Sequence, residues 1–283
     1  MRRAGRQRMI GERDSRTTAY TGVVRFGWLV LFAAGCGRFS FEIEQTRDDA
    51  ATDAATDATA ARYARAVTED VPIAYWQFET APLVVDATNR GHDGTLAGGV
   101  ARGAGIVGGG VVLSAGGDFR DDGGTLSAPA SDFLFDGNAP FTLECWVLPT
   151  RLAGHWTQLF QTDNFDSQAR RNGYTIEYLD DHVHVIRRRD GIEEEAVARD
   201  VMVTGRWIHL AGTYDGASLR MYVDGTVRDT QPSPLAMQSE AGTPFSISDG
   251  EYTLTGTLDE CAIYDRALSD ERIAEHHAAA LGL

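Results

Sequence analysis

No segment of this chain is apolar for long enough to cross a membrane as a helix. The main apolar run, residues 26–35 (Phe-Gly-Trp-Leu-Val-Leu-Phe-Ala-Ala-Gly), is ten residues, where a bilayer core needs about 20 in helix. Lysine is absent: all 26 basic residues are arginine, the bias of a GC-rich coding sequence. The 41 acids outweigh them, for a formal charge of −15. A chain this acidic is repelled by phosphate backbones, which argues against nucleic acid as a partner. Cysteine is scarce, at positions 36, 145 and 261 only. Also missing are a Gly-x-Ser-x-Gly nucleophile elbow, a phosphate-cradling glycine loop and the spacing of an EF-hand loop. No internal repeat and no second domain is visible.

The apolar run lies between seven arginines (2, 3, 6, 8, 13, 16 and 25) and the sequence Ala33-Ala34-Gly35-Cys36. A charged segment, an apolar segment and then small residues make a secretory signal. A cysteine directly after the small residues resembles the lipobox of bacterial lipoproteins, with Ala33 where leucine is commoner. The resemblance implies that residues 1–35 are removed and that Cys36 becomes the acylated first residue. A structural cysteine, or an ordinary signal cut nearby, is the plainer alternative. Loss of residues 1–35 leaves 19 basic against 39 acidic residues, a charge of −20. Such a chain tolerates or wants divalent cations. Residues 48–61, built on Ala-Thr-Asp repeats, lack large apolar groups, so burial cannot offset their ordering entropy. Residues 36–70 are therefore expected to be a disordered tether, with at most a turn of helix from Tyr63 to Val67. The expected location is the cell envelope, membrane-anchored and facing the periplasm or the exterior.

From Val71 the pattern changes to short alternating runs separated by glycine and polar turns. Phe141-Thr-Leu-Glu-Cys-Trp-Val147 places Phe141, Leu143, Cys145 and Val147 on one face, and the segments starting at Ile73, Tyr174, Leu219 and Leu258 alternate as well. These runs predict an all-β chain, an antiparallel β-sandwich over residues 71–283. Asp180-Asp181 and Asp224-Gly225 are candidate hairpin turns, and Glu193-Glu-Glu195 beside Asp190-Gly191 reads as a charged loop. One short helix is expected near the end, with Ser269 as its cap and Asp270 and Glu271 in its first turn.

The strands are similar to those of the LamG-like jellyroll family, within the concanavalin A-like lectin/glucanase fold. The likeness rests on Tyr75-Trp-Gln-Phe-Glu79, the loop Asp86-Ala-Thr-Asn-Arg-Gly-His-Asp-Gly94, and the glycine-rich strand from Gly105 to Leu113. It continues through residues 141–147, the hairpin at residues 207–225, and Gly256-Thr-Leu-Asp-Glu-Cys-Ala-Ile-Tyr264 with its helix cap. The resemblance covers residues 71–280 in collinear order and implies fold more than function, because the fold hosts lectins, hydrolases and adhesion modules alike. It places the strands of Cys145 and Cys261 side by side, which implies a disulfide; two buried free thiols are the alternative. It also implies a calcium near one end of the sandwich, for which Glu79, Asp86, Asn89, Asp93 and Asp259 are the oxygen donors. Ordinary Asx turns are the competing reading. Hydrolases of this fold carry alternating paired carboxylates on one strand. No such run occurs here, so the expectation is a non-enzyme.

The remaining histidines read as structural. His182 and His184 share one strand face without a third ligand at zinc spacing and are expected to be exposed. His276 and His277 read as a solvated helix end, and Trp207 and His209 as packing positions. The function expected is non-catalytic binding of a carbohydrate or a surface protein, with Tyr178, His184, Arg220 and Tyr222 as candidate ligand contacts. A structural or adhesion module without a small ligand is the alternative, and a glycoside hydrolase a third. Mass spectrometry of the mature amino terminus should find a diacylglyceryl group on Cys36, and Cys36→Ser should stop processing there. An unlipidated wild-type terminus would refute the lipobox reading.

Overall fold

The computed structural model describes residues 45–80, 84–114, 125–128, 131–152, 154–162, 164–165, 171–238, 245–248 and 254–283. Cys36 and the expected signal lie outside the described residues. Helix α1 (Gln45–Glu69) comes first, followed by β1 (Ala74–Trp76), β2 (Thr95–Ala97), β3 (Val100–Ala104), β4 (Gly109–Leu113) and β5 (Thr125–Ala128). Next are β6 (Phe141–Arg151), β7 (Thr157–Gln161), β8 (Asn164–Phe165), β9 (Arg171–Leu179), β10 (His182–Arg189) and β11 (Ile192–Ala198). The chain ends with β12 (Ile208–Tyr214), β13 (Ser218–Val223), β14 (Thr226–Pro232), β15 (Phe245–Ile247), β16 (Thr255–Tyr264) and α2 (Asp270–Ala280).

The strands form two antiparallel sheets. Sheet one runs β14-β13-β12-β6-β16-β4-β3, with β1 added on β16; sheet two runs β11-β10-β9-β7-β15-β5-β2, with β8 added on β9. This is the expected β-sandwich jellyroll. Three turns at strand ends place an aspartate at positive φ: Asp180 (53°), Asp190 (56°) and Asp224 (51°), the last two followed by glycine. Short Asp and Gly side chains tolerate that region, and the twist of such turns matches the strands they join. Ser269 caps α2 by accepting from the Arg272 N–H at 3.4 Å.

Alternation decides what each strand buries. Phe141, Leu143, Cys145 and Val147 of β6 enter the core between the sheets, with Tyr174, Ile176 and Tyr178 of β9 among their neighbours. Aromatic rings fill this core: Trp76 stacks on Phe245 at 5.8 Å, and Phe141 on Tyr174 at 5.0 Å. The buried Arg187 guanidinium lies 3.5 Å over the Tyr214 ring and donates to Ser233 and Gly137. A desolvated cation over an aromatic face is favourable. Glu144, Trp146, Ala211, Tyr222 and Tyr264 point the other way, out of sheet one; of these, Trp146, Ala211, Tyr222 and Tyr264 form a second apolar cluster with Tyr63 and Val67 of α1 and Ile273 of α2.

Three expectations are corrected here. Residues 45–69 are helical rather than a disordered tether: alanine is a strong helix former, and the fully buried Tyr63 and Val67 anchor the carboxyl-terminal part. Glu193-Glu-Glu195 belongs to edge strand β11 because each carboxylate meets a basic group, Glu193 with Arg188, Glu194 with Arg187 and Glu195 with His184. Cys145 and Cys261 are free, buried thiols. The β6–β16 ladder slips between Asp259 and Ala262, where Glu260 takes φ +52°. The bulge sets Glu260 and Cys261 opposite Cys145, and on its other edge Cys261 is matched with Trp76 of β1. Burial raises the Cys261 pKa, and the neighbouring Cys145 thiol adds to the rise.

Gly212 of β12 lets the facing sheet approach closely for want of a side chain. A Cβ there would sit 2.7 Å from Val185 Cγ2 and 3.2 Å from Ile176 Cδ1. Gly212→Val should therefore destabilise the domain by about 1–3 kcal/mol through overpacking, seen as a lower urea midpoint with an unchanged slope.

Candidate functional site

The outer faces of the two sheets differ. On sheet one the outward side chains lie beneath the helices. Glu144 is fully buried and accepts from His276 Nδ1 at 3.0 Å and from the Tyr264 hydroxyl, with His209 Nε2 at 3.4 Å. Burial alone would raise its pKa, but the His276 and His209 partners hold its carboxyl far below the usual carboxylate range. Tyr222 donates to Asp270 Oδ1 at 2.7 Å. The face is closed.

Sheet two carries a polar outer face whose side chains are themselves largely buried. Because Tyr174, Ile176, Tyr178, Val183 and Val185 point inward, the alternate residues Thr175, Glu177, His184, Ile186 and Arg188 point outward. Ladder register carries one row through Glu195, Ile186, Thr175, Gln161 and Ser246, across β11, β10, β9, β7 and β15. A neighbouring row runs through Val197, His184, Glu177 and Gln158. Arg188 crosses the face, donating to Glu177 Oε1 and to Glu193 Oε1, both at 2.8 Å. Arg188 and Glu177 are both buried, and each has a second partner, Glu193 at 2.8 Å for Arg188 and Arg171 at 3.9 Å for Glu177, so the two charges sit in a network that fixes their orientation.

Trp156, in the loop before β7, rises at the edge of this face and is 40% exposed. Its ring meets His184 edge-on, 5.0 Å between centroids, and Glu195 Oε2 fixes His184 Nδ1 at 2.9 Å. An aromatic edge beside neutral amide and hydroxyl groups is an arrangement that stacks on an apolar ring face while hydrogen-bonding its rim. Among the described residues, the carboxylates of this face are held in ion pairs with Arg188 or His184.

Of the expected ligand contacts, only His184 lies here. Tyr178 faces the sandwich core, fully buried; Tyr222 lies under α2; and Arg220 pairs with Asp215 at 2.9 Å on sheet one. Their strand alternation was legible, but which face each sheet leaves to ligand was not. Trp156 was missed because it lies in a loop, outside any alternating run. His184 is also less exposed than expected, and His276 is buried rather than solvated.

The five expected calcium donors fall into two groups. Asp86 accepts from Tyr75 N–H, Thr88 N–H and hydroxyl, and His92 N–H, while Asp93 accepts from Asp86 N–H at 2.8 Å. Burial would raise the Asp86 pKa, but these bonds hold it below its ordinary value. Asn89 takes φ 58°, so this group forms a turn. Glu79 and Asp259 meet around the loop at residues 105–109. Asp259 Oδ2 accepts from the Ile106 and Val107 N–H groups, and Glu79 Oε2 from Gly109 N–H at 2.9 Å. A Cβ on Gly105 would run into Asp259 and the Gly109 carbonyl, and one on Gly108 into Glu79. Burial pushes the Asp259 pKa well up, and the Glu79 charge pushes it further. Among the described residues no group of three or more His, Cys, Asp or Glu side chains is arranged to hold a metal.

The architecture has counterparts. Domain 4 of AbnA, a GH43 extracellular arabinanase from Geobacillus stearothermophilus solved with arabinotriose, superposes with a TM-score of 0.56 at 20% identity, over 73% of this chain and 98% of that one. The binding domain of Paraclostridial Mosquitocidal Protein 1 matches with a TM-score of 0.59 at 15% identity, over 75% and 53% of the two chains. The receptor binding domain of a botulinum neurotoxin C/D mosaic serotype matches at 0.59 and 14%, over 74% and 51%. The present chain thus spans about half the length of these toxin domains. No curated protein matches the chain. The family model described as the concanavalin A-like lectin/glucanases superfamily matches residues 120–274, more than half of the sequence, and the chain belongs to that superfamily.

Proposed function

We propose that this protein is a non-catalytic carbohydrate-binding module, exported and held at a membrane by acylated Cys36. The observation that carries the reading is the Trp156–His184 edge beside the polar rows of sheet two. Rings of sugars stack on tryptophan, and their hydroxyls suit Gln158, Gln161 and Ser246. The −20 charge of the mature chain favours neutral over anionic glycans. The arabinotriose in the superposed arabinanase domain makes neutral arabino-oligosaccharides the first ligands to try. The ion-paired state of the outward carboxylates supports the absence of catalysis, since glycoside hydrolysis needs two carboxyl groups free to face the bond.

Binding should be found on a neutral-glycan array, and Trp156→Ala should weaken it about tenfold, ~1.4 kcal/mol, by calorimetry, with the fold intact by circular dichroism. An array that is blank with wild-type protein would favour the adhesion reading instead.

We infer further that calcium would be bound by Glu79 and Asp259 with main-chain carbonyls of the loop at residues 105–109, rather than by Asp86, Asn89 and Asp93. The Glu79 charge works against ionisation of Asp259 across the glycine loop, and a divalent cation would relieve that opposition. The melting temperature should rise with millimolar calcium and fall with chelator. Asp259→Asn should remove the difference, while Asp86→Ala should lower the melt and keep it. A melt indifferent to calcium and chelator would overturn the inference.

A further inference from the structure

The carboxyl-terminal end of α1 is joined to the sandwich by a charge network that no step of glycan binding uses. At its centre is His276 of α2, fully buried. Its Nδ1 lies 3.0 Å from each Glu144 carboxylate oxygen on β6. Its Nε2 lies 3.0 Å from Asp70 Oδ2 and 3.1 Å from the Ala66 carbonyl of α1. Every partner is an acceptor, so both ring nitrogens must carry a proton, and the ring is an imidazolium. Arg272, one turn earlier on α2, donates from Nε to Asp70 at 2.7 Å and from Nη2 to the Ala66 carbonyl at 2.9 Å.

We propose that α1 is a releasable strap, latched onto sheet one by protonated His276 and let go when that imidazole loses its proton. A neutral ring would turn a lone pair toward either Glu144 or the Ala66–Asp70 end of α1, in a place without water. Glu144 keeps the Tyr264 hydroxyl and the nearby His209 when this happens, whereas among the described residues Asp70 keeps Arg272 as its remaining side-chain partner. The weaker side is therefore the α1 side. Tyr63 and Val67 would have to leave the cluster that includes Tyr75, Trp146 and Tyr264.

The charged and titratable groups facing His276 set the direction. Burial pushes its pKa down, but Glu144 of β6 and Asp70 after α1 outweigh both burial and the opposing Arg272 charge, so the net shift is upward. Tyr264 of β16 stacks on the ring at 6.3 Å, and its own pKa is well above the ordinary value, so it stays neutral throughout. With a folded-state pKa above the unfolded one, the latch is fully made below about pH 6.5 and is lost as the pH rises through the folded value.

The test is hydrogen exchange by mass spectrometry on the whole chain, corrected for intrinsic rates, between pH 6 and pH 9. Protection of amides 63–69 should fall at least tenfold as the pH rises, while β6 and β16 stay protected. His276→Gln should leave α1 unprotected at every pH; Asp70→Asn, at the rim of the network, should move the transition to lower pH. The proposal is overturned if α1 protection is flat with pH, if it falls together with β6 and β16, or if His276→Gln keeps the wild-type pH profile.

Discussion

Strand β6 is buried on both sides, and much of the molecule follows from that. Its odd-numbered side chains fill the sandwich, and Thr142, Glu144 and Trp146 are equally closed off on the other face. A carboxylate without water costs several kcal/mol unless it is paired and hydrogen-bonded. Glu144 is satisfied from three directions, by His276, His209 and Tyr264. Two of those partners belong to neighbouring strands and one to α2. The need of one buried charge thus orients the last helix, and that helix in turn provides Arg272 and His276 to hold the end of α1.

The same closure accounts for the asymmetry of the two sheets. Sheet one covers much of its outer face with helices, and Arg220, on the same strand as Tyr222, is paired with Asp215. Sheet two keeps a polar, largely buried outer face in which Arg188 is tied to Glu177 and Glu193. An ion pair of this burial adds little net stability, but it fixes which way the side chains around it point. Much of the acidity has local structural work as well: Asp86, Asp180, Asp190 and Asp224 shape turns, and Glu193, Glu194 and Glu195 each meet a cation or histidine on sheet two.

The legible part of this molecule was its β alternation and its strongest turn. Phe141 to Val147 alternates because one side must reach the core, and Asp224-Gly225 turns because those residues accept positive φ. Less legible was anything that depended on a distant partner. The glutamates of β11 looked like a loop because three like charges in a row oppose burial, until Arg187, Arg188 and His184 stand opposite them. The Ala-Thr-Asp segment looked unable to order itself, and its own composition gives no sign that Tyr63 and Val67 find a cavity between strand and helix.

By itself the sequence determined an all-β sandwich with a capped closing helix, since period-two alternation, Asp-Gly turns and a Ser-Asp-Glu cap act over a few residues. Tertiary structure alone decided which face is free, where the two cysteines stand and which carboxylates matter. Cys145 and Cys261 stand as neighbouring free thiols beside a bulge in the ladder at Glu260. Asp86 and Asp259, both aspartates in the same expected set, part ways because one is filled by turn amides and the other is buried against a distant loop, with the Glu79 charge adding to the rise in its pKa. Apart from the local turn at Asp86, these outcomes turn on desolvation and on partners 100 or more residues away. Those are properties of the packed molecule, and no local pattern encodes them.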